Sequence, residues 1–221
     1  MFNKIESIKN SKNFLRNISI IIFWGSLWGI VEATLGYFLH RINFSFGWCI
    51  WFPIAFYFMD KIYRKTGEAQ CMLYGAFITA SIKLTNMFIE PRIDKVLNPV
   101  ISIILEAVAL VIFYKVLEKK QKKTNMMGVG VLNLSWRCLY DIYLLFMPQS
   151  ILAVSVLRGW QPFLKFMILE SLVNTIIIAM YLILREKLIT KTTEESRRNY
   201  STRPVISALM LALAVFIQLY I

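Results

Sequence analysis

The sequence predicts an all-α fold: a polytopic membrane helix bundle with six core transmembrane helices and a seventh helix at the C-terminal end. Three observations carry that reading. Apolar residues make up 57% of the 221 residues, a larger share than an ordinary soluble domain carries. Apolar runs of the roughly 20 residues needed to cross a hydrocarbon core about 30 Å thick recur along the chain. The 25 Lys and Arg residues gather mainly in short segments between those runs.

The runs occupy 18–39, 42–59, 69–89, 97–117, 126–147, 162–184 and 204–221. A basic segment, 1–17, precedes the first, with Lys4, Lys9, Lys12 and Arg16. It imitates a signal peptide, down to the Val31-Glu32-Ala33 tripeptide, but the apolar pattern continues to Leu39 and further runs follow, so an uncleaved first helix is expected. The second and seventh runs are short and would cross with little tilt. In the fifth, apolar character continues from Met126 to Leu157 and breaks at Pro148, which predicts a full span followed by a bent or interfacial segment over 148–158. The polar stretch 185–203, "REKLITKTTEESRRNYSTR", is a linker between the six-helix core, 18–184, and the helix at 204–221.

Loop charge fixes an expected orientation. From the N-terminus, the Lys and Arg counts of successive segments are four (1–17), one (40–41), three (60–68), two (90–96), five (115–125), one (158–161) and six (185–203), with none after 204. Rich and poor segments alternate without exception. The positive-inside rule therefore puts the N-terminus in the cytoplasm and the C-terminus outside, in a multi-pass protein of the cell membrane. The same rule accounts for the net charge of +12, which favours anionic lipid at the bilayer surface over nucleic acid.

Six ionisable residues fall at membrane depth: Glu32, Lys83, Glu106, Arg137, Asp141 and Glu170. Each Arg, Lys or Asp at a helix centre costs about 2.5–3.5 kcal/mol on insertion scales, so these groups must face one another or a hydrated or ligand-filled cavity. Helical spacing agrees. Gly25, Gly29, Glu32, Gly36 and His40 form one stripe on the first helix, and Thr79, Lys83, Asn86 and Glu90 form another on the third. The fourth carries Asn98, Ser102 and Glu106, the fifth Asn133, Arg137 and Asp141, and the sixth Glu170 and Asn174. The second and seventh carry no interior charge, which predicts places on the lipid-facing periphery.

Arg137 and Asp141, spaced i,i+4, are expected to neutralise each other as a structural ion pair. Lys83 has two readings, as a structural partner of Glu32 or Glu106, or as a ligand-binding group. Four acids against two bases call for a protonated carboxyl, a bound cation or an amine-bearing ligand. The tryptophans Trp24, Trp28, Trp48, Trp51 and Trp160 read as an interfacial belt. Cys49, Cys71 and Cys138 read as small buried hydrophobes, since they form no disulfide or metal-ligand pattern. With one histidine and no HExxH, GxSxG or Walker motif, the sequence predicts no catalytic residue, no metal and no cofactor.

The basic N-terminus, six core helices, polar interior and the small-residue ladder Gly25, Gly29 and Ala33 resemble the substrate-binding S components of energy-coupling factor transporters. The resemblance covers 18–184, and the seventh span departs from it. It implies a vitamin or similar small-molecule ligand held near the outer face, with Glu32, Lys83, Asn86, Glu106 and Glu170 as the ligand-binding residues. It also implies a transmembrane coupling subunit and two cytoplasmic ATPases as partners. Gly25, Gly29 and Ala33, with Gly36 beside them, would serve helix packing, the ladder docking against the coupling subunit through close backbone approach. Two other readings stand beside this one: a structural or regulatory bundle closed by ion pairs, and an intramembrane enzyme.

Overall fold

Apolar helices satisfy their own backbone groups, and among the described residues every regular element is helical. The computed structural model describes the backbone of residues 2–42, 46–121, 124–152, 155–189 and 203–220, and the side chains of these except 2–12, 40, 188 and 189. The side chain of His40 and most of the 185–203 linker therefore lie outside the described residues.

The helices are α1 (Phe2–Arg41), α2 (Trp48–Thr66), α3 (Gln70–Leu84), α4 (Ile93–Lys120), α5 (Met126–Leu145), α6 (Gln149–Leu152), α7 (Trp160–Leu164), α8 (Glu170–Ile189) and α9 (Pro204–Tyr220). A 3-10 turn, Thr85–Phe88, prolongs α3, and a π turn, Lys165–Leu169, joins α7 to α8 in one continuous helix. Local chemistry sets the ends. Gly67 takes the left-handed conformation (φ 78°) and donates its N–H to the Tyr63 carbonyl, closing α2. Asn125 caps α5 by accepting the Gly128 N–H at 2.8 Å on its side-chain oxygen. Beyond Pro148 the described residues make the short α6 and a 3-10 turn at Val156–Arg158, in line with the expected bend over 148–158.

Three helical stretches are long and apolar enough to cross a membrane: Asn13–Leu39, Ile93–Lys120 and Trp160–Lys187. The helix α9 is apolar but shorter, and α2 and α5 carry charges within their length. Outward faces are apolar, with Ile112, Leu134, Leu172 and Leu209 all exposed. Such a surface suits lipid rather than water.

Helix α1 packs against α2, α3 and α9; α4 packs against α3 and α5; α8 packs against α2 and α5. The expectation that the second helix is peripheral is overturned. Phe52, Ala55, Phe56, Met59 and Ile62 of α2 are completely buried, and its wide aromatic face fills the space between α1, α4 and α8. Helix α9 does sit at the edge, lying along α1. The Ser207 hydroxyl donates to the Ser19 carbonyl at 2.7 Å, while Val205, Leu209 and Phe216 stay exposed.

The glycine ladder has an internal use. A Cβ on Gly25 would stand 2.8 Å from the Gly75 carbonyl oxygen, and one on Gly29 would stand 2.9 Å from Ile82 Cδ1. The close approach lets the Thr79 hydroxyl of α3 donate to the Gly25 carbonyl at 2.9 Å. Gly36 faces the Trp51 ring, and Ala33 is buried. The expected docking of this ladder on a separate subunit is therefore corrected, because α3 of the same chain already covers the Gly25 and Gly29 face.

Candidate functional site

Two cavities adjoin at the end of the bundle where α1 and α3 finish and α2 and α4 begin. The first, about 280 Å³, is lined by Glu32 and Gly36 of α1, Trp48 and Trp51 of α2, Lys83 of α3, and Ser102 and Glu106 of α4. The second, about 530 Å³, lies between α4, α5 and the α7–α8 helix and includes Asn98, Tyr140, Arg158, Lys165 and Glu170. Trp48, Lys95 and Pro99 line both and form the partition.

Three predicted ligand-binding residues thus meet in one cavity. The Glu32 carboxylate accepts the Trp28 indole N–H at 3.1 Å, and Trp28 itself is completely buried. Glu106 is 2% exposed and makes no hydrogen bond or ion pair among the described residues. Lys83 is half-buried, and neither carboxylate lies within 4 Å of its ammonium, so the expected direct pairing with Glu32 or Glu106 is not made. A carboxylate removed from water without a partner is costly, so the polar space between these three groups is where a donor belongs.

The other two predicted residues go elsewhere. Helix α3 ends at Leu84, and Asn86 lies beyond it in the 3-10 turn, outside the cavity lining. Glu170 lines the second cavity, which divides the expected single polar interior in two. It follows the π turn, a feature frequent at functional sites, and its oxygens lie 3.9 Å from Lys165 Nζ and 4.0 Å from an Arg137 nitrogen.

The expected Arg137–Asp141 pair is also corrected. Arg137 is completely buried, its guanidinium carbon 4.3 Å from the Phe166 ring centre and 4.7 Å from that of Trp136. Its nearest carboxylate belongs to Glu170, on the neighbouring α8, and among the described residues no Asp141 oxygen comes within ion-pair distance. Stacking between two rings holds the planar guanidinium more firmly than a one-turn contact on the same helix. Trp136 and Phe166 continue into an aromatic wall with Trp48 and Tyr140. The interfacial-belt reading suits Trp160, which is exposed, but fails for Trp28, which lies in the core. Cys49 and Cys71 are buried as expected, whereas Cys138 is exposed.

One polar cluster escaped the sequence reading. Asp60, completely buried on α2, accepts the Tyr114 hydroxyl of α4 at 3.0 Å and the Tyr181 hydroxyl of α8 at 2.7 Å, and pairs with Arg185 of α8. It lies twelve residues beyond Trp48, about 18 Å along the helix, at the opposite end from the cavities. Nearby, the Tyr63 hydroxyl donates to Glu118 at 2.7 Å, and burial together with that carboxylate pushes the phenol up to about 12. Asp60 sits directly after the second apolar run and reads there as the first residue of a loop.

Among the described residues no group of three or more His, Cys, Asp or Glu side chains is placed to hold a metal ion. Comparison with known protein families, with curated proteins and with solved structures finds no match to this chain.

Proposed function

We propose that this chain is a seven-pass protein of the cell membrane, N-terminus inside and C-terminus outside, that binds a small polar solute near the outer face. The cavity of Glu32, Lys83 and Glu106 is its binding site, and a separate energising module completes uptake. The single observation that carries the reading is Glu106: a carboxylate 2% exposed, unpartnered among the described residues and lining a cavity. The alternating loop charges support the seven passes, and on that orientation the cavities lie at the outer end. The S-component resemblance supports a coupling subunit and ATPases as partners. Because α3 covers the Gly25 and Gly29 face, such a subunit would meet another side of the bundle.

Native mass spectrometry of protein extracted into lipid nanodiscs tests the reading. The expected result is a retained small molecule that is lost in Glu106→Gln, and co-purification of a membrane subunit with ATPases. An empty monomer, under conditions that preserve known transporter complexes, would overturn it. A second reading, a purely structural bundle, is favoured by the Asp60 cluster, where each charge is met within the chain. It predicts that Glu106→Gln changes stability and nothing else.

A further inference from the structure

The adjoining cavities carry opposite excess charge. In the first, Lys95 on the rim is tied to Glu90 at 3.4 Å, which leaves two carboxylates, Glu32 and Glu106, against the single ammonium of Lys83 on the lining. Lys83 acts on Glu32, and Glu106 is reached by the charge of Arg137. In the second, Asp94 is tied to Arg92 at 2.6 Å. Among the described residues Glu170 is then the one remaining carboxylate on the lining, with Arg137 behind it, Lys165 beside it and Arg158 on the rim. Arg158 has no carboxylate within 4 Å among the described residues, and none of the Arg137 guanidinium nitrogens makes a hydrogen bond there. In surroundings of low dielectric such imbalances are felt strongly and draw in the opposite charge. Trp48 stands between the two excesses, its indole in the aromatic wall and its backbone carbonyl held by the Asn174 amide at 3.0 Å.

Resting on the solute-binding reading above, we propose that the two cavities are the two ends of one site for a small zwitterion. Its amine is held by Glu106 and Glu32, its carboxylate by Arg158 and Lys165, and the apolar body between them lies along Trp48. Volumes of about 280 and 530 Å³ together accommodate a molecule of metabolite size. The arrangement selects for charge separation. An amine alone leaves the cationic end unmatched, and a carboxylate alone leaves Glu106 without a donor.

The test is binding to the full chain in nanodiscs, read by tryptophan fluorescence, with γ-aminobutyrate, ε-aminocaproate, hexylamine and hexanoate as probes. At least one of the amino acids is expected to bind about tenfold or more tightly than hexylamine, the gain of one charge-assisted contact. Arg158→Gln, a change on the exposed rim, should reduce that amino acid to the affinity of hexylamine and leave hexylamine unchanged. Glu106→Gln should abolish hexylamine binding and weaken the amino acid about tenfold. Equal affinities of hexylamine and the amino acids, or indifference to Arg158→Gln, would overturn the zwitterion while leaving the solute reading standing. Preferred binding of hexanoate, or no binding by any probe, would also overturn it. In the latter case a molecule retained in native mass spectrometry would still separate the solute reading from this one.

Discussion

Removing the Asp60 carboxylate should be among the most damaging single changes at the end of the bundle opposite the cavities. Asp60→Ala deletes the acceptor for two tyrosine hydroxyls and the counter-charge of Arg185. Three hydrogen bonds to the ionised carboxylate at about 1.5–3 kcal/mol each give a gross loss of about 4.5–9 kcal/mol. Arg185 retains 20% side-chain exposure and can recover some hydration, which favours the lower end of that range. A net cost of about 4–5 kcal/mol is expected, in line with removing one partner of a buried pair. Stability would be measured by reversible unfolding in mixed micelles with increasing denaturing detergent. The double variant Asp60→Ala with Arg185→Met should be at least about 1 kcal/mol more stable than Asp60→Ala alone, because it no longer strands a cation. A single-variant cost below about 1 kcal/mol, or strict additivity of the pair, would refute the view that this cluster locks α2, α4 and α8 together.

Three further outcomes follow from the geometry. Gly25→Ala should destabilise the same unfolding transition by about 1–3 kcal/mol, since its Cβ would meet the backbone oxygen of Gly75, which cannot rotate away; an unchanged transition would show that α1 and α3 do not approach so closely. Glu170→Gln should cost about 3 kcal/mol by stranding buried Arg137, whereas Glu170→Gln combined with Arg137→Met should return to within about 1 kcal/mol of the parent, and equal losses for the two would contradict the pairing. Glu90 accepts the Arg92 backbone N–H at 3.1 Å, which with Lys95 holds its carboxyl below the usual carboxylate range. A depressed value stabilises the 85–92 turn at any pH above the ordinary carboxylate range, and the effect fades as pH falls through the folded value. Hydrogen exchange of the Arg92 amide should therefore show protection that is lost on acidification, and protection independent of pH would contradict that bond.

What was legible in the sequence depended on whether neighbouring residues or distant ones decide the matter. Helical type and the approximate runs were readable because apolar periodicity and loop charge are local. So was the gathering of Glu32, Lys83 and Glu106, since intramembrane charges have few places to go. The partner of Arg137 was not readable. Spacing offered Asp141 one turn away, but the side chain stacks between its neighbour Trp136 and Phe166 of a different helix, a contact no spacing within α5 records. Asn86 failed because α3 stops at Leu84, so the residue lies past the helix whose face the spacing assumed. Asp60 failed because a charge at the end of an apolar run looks the same whether it meets water or an arginine 125 residues away.

By itself, the amino-acid sequence determined an all-helical chain with an apolar exterior, a set of buried charges that need partners, and small residues that permit close helix contact. These follow from composition and periodicity, which act over a turn or two of helix. The tertiary structure alone decided that the glycine ladder is filled by α3, that α2 is central, and that the buried charges divide into two cavities and a separate lock. Each of these is a choice among partners far apart in the chain, and packing makes that choice by shape and desolvation, which no local pattern records.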